Sequence, residues 1–130
     1  MSEDVRAAKK YEPRLKTLTT SFADMRAGQV MAIGTPQTII EIVKEIPRGS
    51  EWALSDIRKR LAERLKADVA CPVTTSMYLK LAIEEEVLSG RSRFRFPFWR
   101  AVSPSSQIFL RLSATTKATI SSHRVKEGLG

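Results

Sequence analysis

The sequence predicts a mainly α-helical fold with a small β wing, and three observations carry that reading. Apolar residues recur at helical spacing between residues 36 and 88. Capping and stop residues cut this stretch into three segments. An arginine–aromatic alternation over residues 91–96 then takes up the two-residue period of a strand. Two helices joined by a short turn, with a hairpin after them, make a winged helix-turn-helix. Residues 1–28 are expected to be a flexible or partly helical N-terminal arm, with a frayed helix between Val5 and Leu18. The winged-helix domain is expected over 29–130.

Gly28 and Gly34 flank Gln29–Ile33, which reads as a short extended segment. Thr35-Pro36 opens the first helix, with Thr35 as N-cap and Pro36 in the first turn. Ile39, Ile40, Val43 and Ile46 form its buried stripe, and Pro47-Arg48-Gly49 stops it. Ser55 is expected to cap the second helix, with Ile57, Leu61 and Leu65 facing the core. A turn at Ala67–Ala70 leads into a third helix that starts at Cys71-Pro72. Val73, Met77, Leu81 and Leu88 are read as its core stripe, and Gly90 ends it. Gln107–Leu112 reads as a short packed segment, and Ala114–Glu127 as a last helix weakened by its Thr and Ser residues.

Charge narrows the function. The chain carries a net charge of +8, and the excess is unevenly spread. Residues 88–130 hold eight Lys or Arg against Glu127 alone, whereas residues 1–87 are almost balanced. A one-sided cationic surface suits a polyanion, because each neutralised phosphate releases counterions. One cysteine, Cys71, and one histidine, His123, can build neither an internal disulfide nor a structural zinc site. No acid pair, phosphate-cradling glycine loop or metal cluster stands out, so no cofactor and no metal are expected. The polar N-terminus and the absence of a long apolar run lead to the expectation of a cytoplasmic, nucleoid-associated protein away from membranes.

On this layout Thr74, Thr75, Ser76 and Lys80 of the third helix would meet a DNA groove or backbone. Arg91, Arg93, Arg95 and Arg100 would hold phosphates. The expected partner is double-stranded DNA, met by a monomer.

Four stretches carry a family resemblance: Ile46-Pro47-Arg48-Gly49 before a helix; Asp68-Val69-Ala70-Cys71-Pro72-Val73-Thr74-Thr75; Pro97-Phe98-Trp99-Arg100-Ala101-Val102; and Lys126-Glu127-Gly128. Together they resemble the DNA-binding domain of the methylated-DNA–protein cysteine methyltransferase family, which includes the alkyltransferase-like proteins. The likeness spans roughly residues 29–102, with a weaker tail. It implies a winged helix that flips an alkylated base and moves the alkyl group to a cysteine thiolate. At the positions of that family's reactive Cys-His pair this chain has Phe98 and Trp99. Cys71 falls at the family's intercalating arginine and Leu54 at its tyrosine, while the motif arginine is kept as Arg100.

The resemblance therefore implies a DNA binder without alkyl transfer, hence not an enzyme. Leu54, Cys71, Pro72, Phe98 and Trp99 would line a remnant base pocket. Such a protein would recognise alkylated or damaged DNA and engage repair proteins. Two alternatives stand beside it. One is a winged-helix protein-interaction or transcription-associated module, for which the Glu84-Glu85-Glu86 run offers a docking point. The other is an enzyme using Cys71.

Overall fold

The computed structural model describes residues 12–130. It holds five α-helices and a three-stranded sheet. In chain order these are β1 (Arg14–Thr17), β2 (Val30–Ile33), α1 (Pro36–Val43), α2 (Leu54–Leu65), β3 (Val69–Ala70), α3 (Pro72–Leu88), α4 (Gln107–Leu110) and α5 (Ala114–Lys126), with a 3-10 turn at Phe98–Arg100. The mixed architecture is compatible with a helical domain carrying a β wing. Val5 to Tyr11 of the expected frayed helix lie outside the described residues. The part of that stretch within them supplies β1 rather than a helix.

The sheet is built at the N-terminal side. β1 pairs antiparallel with β2, Thr17 opposite Val30 and Arg14 opposite Ile33. β3 adds to β2 in parallel, with Met31 opposite Val69. Asp68 sets this register twice over: its backbone N–H donates to the Val30 carbonyl at 2.9 Å, and its carboxylate accepts the Val30 N–H at 2.8 Å. Beyond β3 the Cys71 N–H continues to the Ala32 carbonyl. One end of α3 is thereby tied to the middle of the sheet.

The helices follow local chemistry. Thr35 caps α1, its hydroxyl accepting the Thr38 N–H while Thr38 reaches back to the Thr35 N–H. The cap of α2 is Ala53 rather than Ser55, because Asp56 accepts the Ala53 N–H at 2.9 Å and fixes the first turn one step earlier. Ile39, Ile42, Val43, Ile46, Ile57, Leu61, Leu79, Ile83, Phe96, Phe98 and Ile120 make one continuous core. Gly34 admits this packing: a Cβ there would meet both methyls of Leu61 at 3.0 and 3.1 Å.

Two features differ from the sequence expectation. The first is α3. Val73, Met77, Leu81 and Leu88 are 57%, 52%, 37% and 83% exposed, and the helix instead buries Thr75, Tyr78, Leu79, Ala82, Ile83 and Glu86. Apolar residues lie on several sides of α3, so helical periodicity alone fits two stripes. The packing of α1 and α5 against the helix decides between them.

The second is the segment 91–96, which is not a strand. Its side chains do alternate: Phe94 and Phe96 turn inward, and Arg91, Arg93 and Arg95 stay exposed. Among the described residues no strand pairs with it. One of its backbone donors goes to the buried Glu86, whose carboxylate accepts the Arg95 N–H at 2.5 Å together with the side-chain Arg95 Nε–H at 2.8 Å and Arg91 Nη1 at 3.3 Å. Burial disfavours a charged Glu86, but these donors outweigh it and hold its carboxyl below the usual range.

Candidate nucleic-acid interface

α2, the turn at Lys66–Cys71 and α3 form the helix pair expected to face a ligand. Lys66 ends α2 in the left-handed conformation, with φ of 57°, which turns the chain back toward β3. Pro72 starts α3, and the Thr75 hydroxyl donates to the Cys71 carbonyl.

Along the open face of α3 lies a groove of about 490 Å³, lined by Leu54, Pro72, Val73, Ser76, Met77, Lys80, Ile108 and Arg111. It runs over Leu54, Ser76 and Ile108 into a second depression of about 500 Å³, whose further walls include Trp52, Ser103, Ser106 and Gln107. The two depressions make a channel with an apolar floor, a cationic end at Lys80 and Arg111, and a hydroxyl- and amide-bearing end at Ser103, Ser106 and Gln107. Two carboxylates also border the second depression, and both are engaged. Glu51 accepts from Arg124 at 2.8 Å, and Asp56 caps α2. Among the described residues, no ion pair involves Lys80, Arg93 or Arg111.

The candidate residues read from the sequence divide accordingly. Leu54, Pro72, Ser76 and Lys80 come together on this channel. Thr75 is buried, and Thr74 is half-buried with its hydroxyl shielded and without a hydrogen-bond partner among the described residues. Cys71 is buried at the start of α3 and does not line the channel; it packs with Leu18, Met25 and Met31. Phe98 is fully buried and meets Phe94 and Phe96 edge to face at 5.0 and 5.6 Å, so it is a core residue rather than a pocket wall. Trp99 stacks on His123 with ring centroids 4.3 Å apart and donates its indole N–H to Glu127.

Arg100 is likewise engaged inside the molecule. Its Nε and Nη2 donate to the two oxygens of Glu127 at 2.8 Å each, and Nη1 donates to the Ile46 carbonyl at 2.9 Å. The Arg100 guanidinium, helped by Trp99 and the Gly49 N–H and working against burial, holds the Glu127 carboxyl at about 2. Arg91 and Arg95 are exposed but share Glu86, and Arg93 is exposed and unpaired among the described residues. All three follow the C-terminal end of α3. A helix of 17 residues is roughly 25 Å long, so these arginines stand far from Pro72.

Sequence reasoning missed Arg111 as a member of the site. It sits at the C-terminal end of α4, far along the chain from α3, and its only signal was the cationic surplus of residues 88–130. No family model matches the chain, and neither a curated protein nor a solved structure matches it. Among the described residues no helix is long and apolar enough to cross a membrane, and no group of three or more potential ligand side chains is placed to hold a metal ion.

Proposed function

We propose that this chain is a non-catalytic DNA-binding protein that meets duplex DNA with the open face of α3 and the channel beside it. The observation that carries the reading is the convergence of Pro72, Ser76, Lys80 and Arg111 along one groove on the second helix of a helix-turn-helix-like pair. The exposed Val73 and Met77 extend the apolar surface of Pro72 beside the polar Ser76, Lys80 and Arg111. An apolar ridge flanked by Lys and Arg suits a narrow groove, where cations take the phosphates and apolar side chains fit against sugars and base steps. Among the described residues lining that groove Ser76 carries the one hydroxyl, so affinity would come mainly from phosphates and shape.

The resemblance to the methylated-DNA–protein cysteine methyltransferase family adds a finer proposal: recognition of alkylated or damaged DNA for repair. An unstacked base would enter the depression between Trp52, Leu54 and Ile108, where Ser76, Ser103 and Gln107 offer hydrogen bonds to its edge. The absence of alkyl transfer is part of the proposal. Cys71 is buried against Leu18, Met25 and Met31, and His123 is engaged with Trp99 and Phe94. Burial pushes the His123 imidazole down, with Lys126 adding to the effect.

The test is a titration of labelled duplexes with and without O6-alkylguanine. Both duplexes should bind, the lesion more tightly, and Gln107→Ala should remove the preference while leaving plain duplex affinity in place. Equal affinity for both would leave a general DNA binder. No binding at low salt would remove the function. The exposed stripe Val73, Met77 and Leu81 favours a second reading, a docking face for an amphipathic partner helix, and that outcome would then stand.

A further inference from the structure

β2 falls on the stretch the sequence reads as extended, and β1 replaces part of the expected arm. The hairpin they form is anchored at three points. Its strand β2 pairs with β3, which leads directly into α3. Its loop side chains Leu18 and Met25, with Met31 of β2, pack around Cys71, the N-cap of α3. Arg58 of α2 is the third anchor. Its Nη1 and Nη2 donate to the two oxygens of Asp24 at 2.9 Å each, while Nε donates to the Ala70 carbonyl at 2.9 Å. One guanidinium thus fastens the hairpin loop to both the second helix and the turn before the third. The hairpin cannot drift from the start of α3 without breaking this fork.

Its exposed charges are Arg14, Lys16 and Arg26 against Glu12 and Asp24, a cationic surplus. All four residues of β1 are exposed, and Arg14 and Lys16, two apart, share one face of the strand. Arg26 is exposed on the return loop, and the acidic Asp24 beside it is neutralised by Arg58. Segment 91–96, by contrast, leaves the far end of α3, and two of its three arginines are shared with Glu86.

We infer that the β1–β2 hairpin is the wing of this domain, with Arg14, Lys16 and Arg26 holding phosphates of the same duplex that α3 meets. The inference rests on the DNA-binding reading and adds a second contact surface to it. A plainer role exists for cations on an outer strand, since they discourage pairing between sheet edges. That role alone predicts no contribution to DNA affinity.

The experiment compares three full-length proteins: wild type, Arg14→Ala/Lys16→Ala/Arg26→Ala, and Lys80→Ala/Arg111→Ala. Each is titrated with an undamaged duplex at several salt concentrations, after thermal melts confirm equal folding. Each phosphate contact contributes about 0.9 to the slope of log affinity against log salt. The hairpin variant should lose about two to three from that slope and bind at least tenfold more weakly at low salt. A hairpin variant that binds like wild type, while the Lys80/Arg111 variant is weakened, overturns the wing and leaves α3 as the contact. Failure of wild type itself to bind removes the DNA reading instead. The charge reversal Lys16→Glu gives a single-site check, and it must weaken binding more than Lys16→Ala does.

Discussion

Arg100 and Glu127 meet as a two-pronged pair, with both N–H···O distances at 2.8 Å and the glutamate side chain 3% exposed. The pair joins the 3-10 turn to the residue that follows α5. Gly49 and Trp99 add two more N–H donors to the same carboxylate. The motif arginine is thus a structural clamp. Glu127→Gln should lower stability by about 3 kcal/mol, as expected when one member of a largely buried ion pair is removed. Arg100→Lys should not restore wild-type melting, because an ammonium cannot make the fork. Denaturant unfolding of both variants measures this.

The same pair sets an acid limit. Glu127 titrates at about 2 in the fold against an ordinary 4.5, so its contribution is complete above pH 4.5 and disappears as pH falls toward 2. His123 is also shifted down from 6.5. Its unfolded form takes up a proton first, so stability should already decline as pH drops below 6.5. Unfolding free energy measured between pH 7 and pH 2 should fall throughout. A stability rising on acidification from pH 6.5 to pH 4.5 would contradict this sign.

Phe98 separates a core role from a base-stacking role. It is fully buried among Phe94, Phe96 and Trp99. Phe98→Ala should cost about 3–5 kcal/mol by transfer and cavity terms. At a temperature where the variant remains folded, its DNA affinity should match wild type.

Met77 provides the opposite case. Read as core it would be costly to change, but at 52% exposure Met77→Ser should shift stability by no more than about 0.5 kcal/mol. On the proposed interface it should weaken duplex binding. Melting and titration of the one variant report both effects.

The strut between Arg58 and Asp24 should be visible in exchange kinetics. Asp24→Ala frees the loop, so the Leu18 and Gly28 amides, which bond across the hairpin at 2.9 and 2.8 Å, should exchange faster than in wild type. The amides of α1 should be unaffected.

Part of this was legible in the residues. Thr35-Pro36, the isoleucine stripe of α1 and the repeat of Ile57 and Leu61 identify two helices, because local capping and burial agree there. The alternation at 91–96 correctly separates inward Phe from outward Arg. It does not reveal that Glu86, rather than a neighbouring strand, takes the backbone N–H of Arg95. Gln29–Ile33 reads as extended and forms β2, but the pairing of the sheet is not legible, because β3 has two residues and its parallel pairing spans Met31 to Val69. The face of α3 was misread because Val73, Met77 and Leu81 compete with Leu79 and Ile83 for the same periodic signal. In the site, Leu54, Pro72, Ser76 and Lys80 were named, whereas Arg111 depends on a tertiary approach of α4 that no local pattern encodes.

On the proposed reading, α3 and its channel bind duplex DNA through phosphates. Its most direct test is the affinity of the full chain for an undamaged labelled duplex, followed by fluorescence anisotropy from low to physiological salt. Tight binding is expected at low salt, with log affinity falling linearly against log salt and a shallower line for Lys80→Ala/Arg111→Ala. No binding at the lowest salt, or an affinity indifferent to salt, would contradict it.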